Sequence, residues 1–144
     1  LRLDGDAREA LSSEDRRMSQ QVDLSACKVV VYVFAMDGCP ACEHYLPRFT
    51  AEAQMLNEQF QREGQHTRFW INPEVSPPAG VIPVFVYDAA SPDANVQALA
   101  DQFGVQATPT TVIAVRGPGS FKCEGSLANN QIRWILLMAS EANR

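Results

Sequence analysis

From Lys28 to Met36 the chain reads KVVVYVFAM, a run of β-branched and aromatic residues with no polar alternation. Such a run predicts a strand buried on both faces, the centre of an α/β sheet. The period then changes. Leu46, Phe49, Ala53, Leu56 and Phe60 recur at spacings of 3 and 4 and trace one helical face. Pro47 lies inside that helix, removes one backbone donor and predicts a kink near the second turn. Residues 64–80 carry Gly64, Pro73, Pro77, Pro78 and Gly80 around the short apolar piece Phe69 to Ile71, and read as an insertion or long loop. Val81 to Tyr87 (VIPVFVY) is a second buried strand, where Pro83 is tolerable only near the start or at an edge. Ser91 and Pro92 read as the N-cap and first residue of a short helix that presents Val96, Leu99, Ala100 and Phe103 to the core and stops at Gly104. Thr110 to Val115, the turn Arg116 to Ser120 and Phe121 to Glu124 form a hairpin, and Ile132, Ile135, Leu136 and Ala139 mark a last helix. Residues 1–24 read as a polar N-terminal extension with a surface helix over 6–22, and 25–144 as one domain.

Composition narrows the function classes. A chain of 144 residues fits one domain. Twelve basic against 17 acidic residues leave a net charge of -5, so no basic field exists to hold a nucleic acid or an anionic membrane. No apolar run approaches the roughly 18 residues that span a bilayer, which predicts a soluble protein. The first 21 residues mix Asp4, Asp6, Glu9, Glu14 and Asp15 with Arg2, Arg8, Arg16 and Arg17, and lack the apolar core of a secretory signal.

The chemistry concentrates in Cys39-Pro40-Ala41-Cys42, between the first strand and the long helix. At a helix N-terminus the free N–H groups and the macrodipole stabilise an anion, so Cys39 is expected to be the thiolate. Cys42, one turn later, reaches the same point and can attack a mixed disulfide formed on Cys39. Pro40 donates no backbone hydrogen bond, whereas Ala41 and Cys42 can. Asp37, a nearby carboxylate, is expected to oppose ionisation. Cysteine pairs at this spacing also make half of many zinc sites. Cys27, Cys123, His44 and His66 are the only other soft ligands, and none forms a second pair, so no metal site is expected and the redox-active Cys39–Cys42 disulfide needs no cofactor.

With these residues in hand, the sequence resembles the thioredoxin-fold superfamily. Pro47 stands five residues after the second cysteine, where thioredoxins carry their helix-kinking proline. Gln102 to Thr110 (QFGVQATPT) is similar to the segment that ends in the family's cis-proline, and Gly125 with Leu127, Gln131 and Ile132 is similar to its last strand-to-helix corner. The resemblance covers about Lys28 to Ala139. It implies a three-layer α/β/α sandwich with a central mixed sheet flanked by helices, and takes residues 64–80 as extra. It also implies a thiol–disulfide oxidoreductase that exchanges disulfides with protein or small-molecule substrates, in which Cys39 attacks and Cys42 resolves. Gly38, Pro40 and Ala41 would form the active-site loop, and a cis Thr108–Pro109 bond the floor of the substrate groove. The expected partners are a protein disulfide or dithiol and an external electron donor or acceptor, met by a monomer.

Departures from the pattern are equally visible. Gly38 replaces the tryptophan that precedes the first cysteine of thioredoxins, and Val33 replaces their buried proton-transfer aspartate. Pro40 is closer to glutaredoxins and bacterial disulfide oxidases, and Thr108 to bacterial disulfide isomerases. Cys123-Glu124-Gly125-Ser126 stands where glutaredoxins have a Gly-Gly pair. The alternative function is a thioredoxin-fold interaction or assembly module with little catalytic activity. The family layout separates Cys27 from Cys123, predicting that they are not bonded to each other; two free cysteines beside a redox pair point to the cytoplasm. His44 reads as a solvated helix histidine, and Trp70 and Trp134 as packing residues beside apolar neighbours.

Overall fold

The structure is a computed structural model, and it describes residues 22–117 and 119–144. The expected helix over 6–22 lies outside them except for Val22. Among the described residues, five strands and three helices follow in order. They are β1 (Val29–Ala35), α1 (Pro40–Arg62), β2 (Arg68–Ile71), β3 (Val81–Asp88), α2 (Ala94–Gln102), β4 (Thr110–Val115), β5 (Gly119–Glu124) and α3 (Asn129–Ala142). The strands form one mixed sheet in the order β2-β3-β1-β4-β5. β2, β3 and β1 run parallel, whereas β4 and β5 are antiparallel additions on the other side of β1.

β1 is central and buried on both faces because its side chains alternate between two separate cores. Val29, Val31 and Val33 meet Ile82, Val84, Val86 and Ile113 under α1 and α3, with Phe49, Ala53, Leu56, Phe60, Ile132 and Leu136 closing that layer. Tyr32 and Phe34 turn the other way, against Phe85, Tyr87, Val112 and Val96, with Leu99, Ala100 and Phe103 of α2 beside them. Val22 and Leu24 pack on this second core as well. Two helices on one face and one on the other make the three-layer α/β/α sandwich. A strand clothed on both sides has no position for a polar residue, which is why β1 shows no alternation.

Residues 64–80 differ from the expected insertion or long loop. Arg68–Ile71 is a strand, paired parallel to Val81–Val84, and it forms one edge of the sheet. Four residues are too few to show a period, and pairing supplies what propensity did not. The Asn57 side chain of α1 clamps the edge by donating to the Phe69 carbonyl (2.9 Å) and accepting from the Phe69 N–H (2.8 Å). Asn72 ends the strand in the left-handed region at φ 50°, and its Oδ1 accepts from the N–H of Val86 (2.9 Å), continuing the ladder with a side chain. Pro83 is accommodated because the β3 ladder with β1 begins at Val84, one residue beyond it.

Three further expectations are corrected. The cap of α2 is Asp93, whose carboxylate accepts from Asn95 N–H, while Ser91 sits upstream and accepts from Asp93 N–H (3.1 Å). Both residues belong to the capping class, and the chain's turn through Pro92 selects the second. On α1 the buried face includes Tyr45 and Glu52 beside Phe49, Ala53, Leu56 and Phe60, whereas Leu46 is half-buried and lines a 390 Å³ groove with Pro47, Ile71 and Val86. Glu52 enters the interior because Arg133 of α3 meets its two oxygens at 2.9 and 3.2 Å. Trp134 is 61% exposed, not packed, while Trp70 is half-buried with the Arg68 guanidinium 5.9 Å from its ring. α1 itself runs unbroken through Pro47.

Candidate active site

The carboxyl end of β1 delivers the chain through Met36 and Asp37 to Gly38, whose φ of 73° is a turn conformation that suits glycine. Cys39 follows as the N-cap of α1 in an extended conformation, and Pro40 takes the first helical position, where its missing N–H costs nothing. The Cys39 sulfur does the work of a capping oxygen. It accepts the N–H of Cys42 at 3.2 Å. Capping and thiolate stabilisation are here one interaction, since the donor that satisfies the helix end also stabilises a thiolate.

A second segment, the loop before β4, reaches the same sulfur. The Thr108–Pro109 peptide bond is cis. Thr108 Oγ1 lies 3.6 Å from Cys39 Sγ as a donor, and the Thr108 carbonyl lies 3.8 Å away as an acceptor for the thiol. One residue therefore serves both protonation states of Cys39. The buried Pro109 carbonyl accepts from the N–H of Gly125 at 2.8 Å, which joins this loop to the corner between β5 and α3. Gly125 has φ 96° and open space where a side chain would stand.

The two thiols are driven apart electrically. Cys39 is held below the ordinary cysteine value, first by the Cys42 side chain, then by the Thr108 hydroxyl and the amides of Cys42 and Ala41. Cys42 is 2% exposed, and burial is the first cause that pushes its thiol up, followed by its bond to Cys39. Both cysteines are in the free thiol form. Asp37, expected to oppose ionisation, is exposed.

The remaining candidates lie elsewhere. His44 and His66 are exposed. Cys27 stands before β1, where Arg116 N–H bonds the Lys28 carbonyl, and Cys123 stands opposite Thr111 on β5. Thr111 and Arg116 are separated by about 16 Å of extended β4, so Cys27 and Cys123 are far beyond the roughly 7 Å Cα limit of a disulfide. Among the described residues no three Cys, His, Asp or Glu side chains gather as a metal cluster, and no helix is long and apolar enough to cross a membrane.

No protein-family model and no curated protein matches the sequence. Solved structures do. A point mutant of thioredoxin from Halobacterium salinarum matches with TM-score 0.50 and 19% identity over 81% of this chain and 78% of that one. The germline-specific thioredoxin Deadhead of Drosophila melanogaster gives 0.51 and 12% over 88% and 92%. Human ERp44 gives 0.53 and 15%, covering 87% of this chain and 30% of that one. The chain has the thioredoxin fold.

Within the thioredoxin fold, several residues beside the dithiol escaped the sequence reading. Tyr45, one turn after Cys42, is fully buried and shares a 2.8 Å hydrogen bond with Thr111 Oγ1, tying α1 to β4. Arg48 reaches the β5–α3 corner. The available signal was their spacing of three and six from Cys42, which places them along one side of the helix.

Proposed function

We propose that the protein is a thiol–disulfide oxidoreductase that exchanges disulfides with protein substrates through the Cys39–Cys42 dithiol. The observation that carries this reading is the Cys39 sulfur at the cap of α1, with the Cys42 N–H at 3.2 Å and the Thr108 hydroxyl at 3.6 Å. Cys39, as thiolate, attacks one sulfur of a substrate disulfide. An S–S bond forms between protein and substrate, the substrate S–S bond breaks, and the departing thiolate takes a proton from water. Cys42 then loses its proton to water and attacks Cys39 Sγ, releasing the second substrate sulfur as a thiolate that is protonated in turn. Two electrons pass to the substrate, and the protein is left with a Cys39–Cys42 disulfide that an external dithiol reduces. The reverse sequence oxidises a substrate dithiol.

Thr108 and Pro109 form the floor of the groove, and an extended substrate segment pairs with the Thr108 backbone beside the sulfur. Gly125, whose N–H bonds the Pro109 carbonyl, stands beside that floor with a bare Cα. Substrate recognition by backbone suits protein disulfides of varied sequence. Insulin reduction with dithiothreitol as donor tests the reading: the parent should turn over and Cys39→Ser should not. Equal rates for the two proteins would overturn it in favour of an interaction module.

A further inference from the structure

Arg48 is an arginine within a helix, a position from which such side chains ordinarily reach into water. Here every nitrogen of its guanidinium is engaged. Nε donates to the His44 carbonyl at 3.1 Å, Nη1 to the Leu127 carbonyl at 2.7 Å and to Asn129 Oδ1 at 2.8 Å, and Nη2 to Ser126 Oγ at 2.8 Å. The same group lies 5.9 Å from the centre of the Tyr45 ring. A planar fork satisfies these divergent acceptors at once, which the single ammonium of lysine cannot do.

All the acceptors except His44 belong to the corner between β5 and α3. Ala128, the N-cap of α3, offers no side chain of its own to cap the helix; Gln131 Oε1 accepts its N–H at 2.8 Å and Leu127 packs on the core, while Arg48 ties the corner to α1. The first residue of the corner, Gly125, bonds the Pro109 carbonyl, and the preceding Thr108 touches Cys39. A continuous path thus runs from the helix that carries the dithiol, through Arg48, to the corner bonded to the Pro109 carbonyl. The hydrogen bonds of Arg48 run to His44 and the corner, not to Cys39.

We propose that Arg48 is a positioning residue for protein substrates, holding the 125–129 corner at a fixed distance from the dithiol so that the groove is preformed. This rests on the oxidoreductase reading above. A preformed groove matters for a substrate that spans Thr108 and Gly125, and not for a small disulfide that meets only the sulfur.

The test compares Arg48→Met and Arg48→Lys with the parent on two substrates, insulin and the small aromatic disulfide 5,5′-dithiobis(2-nitrobenzoate). Loss of the charged hydrogen bonds should raise KM for insulin about tenfold in Arg48→Met, with kcat and the small-disulfide rate within about twofold of the parent. Arg48→Lys should fall between them, and amide exchange at residues 125–129 should quicken in both. Insulin kinetics within twofold of the parent, or equal losses on both substrates, would overturn the assignment. If Arg48→Met does not fold, Arg48→Lys, which keeps stem and charge, carries the same comparison. A parent inert toward both disulfides would instead refute the oxidoreductase reading beneath it.

Discussion

Replacing Tyr45 by phenylalanine removes one oxygen from the centre of the molecule. The phenol is fully buried, and its partner Thr111 is 1% exposed, so no water replaces the lost 2.8 Å bond. The cost is the net hydrogen bond plus the stranded Thr111 hydroxyl, together about 2 kcal/mol. Against a total stability of about 5 to 15 kcal/mol, that is a readily measured loss. Thr111→Val should cost a similar amount, and the double variant less than the sum by about 1 kcal/mol, because the second change removes the orphan left by the first. Alkaline pH adds an independent check. Burial is the main cause that pushes the Tyr45 phenol up to about 12. Between pH 10 and 12 the unfolded chain has released this proton while the folded chain keeps it, so stability is present in full below pH 10 and falls as pH rises. By pH 11 the loss is about 1.4 kcal/mol, and across the whole interval on the order of 2 to 3 kcal/mol. Tyr45→Phe lacks that proton. Urea unfolding of both proteins under reducing conditions, at pH 7 and from pH 9 to 11.5, should therefore show a gap of about 2 kcal/mol that closes as the solution becomes alkaline. A gap below about 0.5 kcal/mol at pH 7, or one that stays constant with pH, would refute the reasoning.

Iodoacetamide at neutral pH should label Cys39 faster than Cys42, with Cys39 reacting at lower pH than a free cysteine because its thiolate is stabilised; peptide mass spectrometry showing Cys42 labelled first would reverse the roles. For the same reason Cys42→Ser should accumulate mixed disulfides on Cys39, visible as a mass increase that dithiothreitol removes. A non-reducing peptide map should show no Cys27–Cys123 linkage, given the length of β4 between their neighbours. Asn72→Ala should lower the unfolding free energy measured in urea by about 1 to 2 kcal/mol, through its left-handed backbone and the lost bond to Val86, and Asn72→Gly by less because glycine accepts φ 50°. Equal losses would remove the conformational part of that account.

Local rules carried much of this protein into view before any coordinates. β1, β3, the hairpin and the helices at 40–62 and 129–142 were legible because long apolar runs and a sustained 3.6 period depend on which face is buried, and burial repeats along each element. The position of the dithiol was legible because a strand followed by a helix start is a local pattern, whereas the Thr108 hydroxyl that also lowers Cys39 arrives from 69 positions away. The cap of α2 lay between two residues of equal propensity, and only the course of the chain separated Asp93 from Ser91. Tertiary structure decided whatever depended on residues distant in sequence. β2 exists through pairing with β3 and the Asn57 clamp, neither of which leaves a period in four residues. Glu52 could be buried only because Arg133, 81 positions later, meets it. The same holds for Tyr45 with Thr111 and for Arg48 with the corner at 126–129: a polar side chain on a helix reads as solvated until the fold brings its partner.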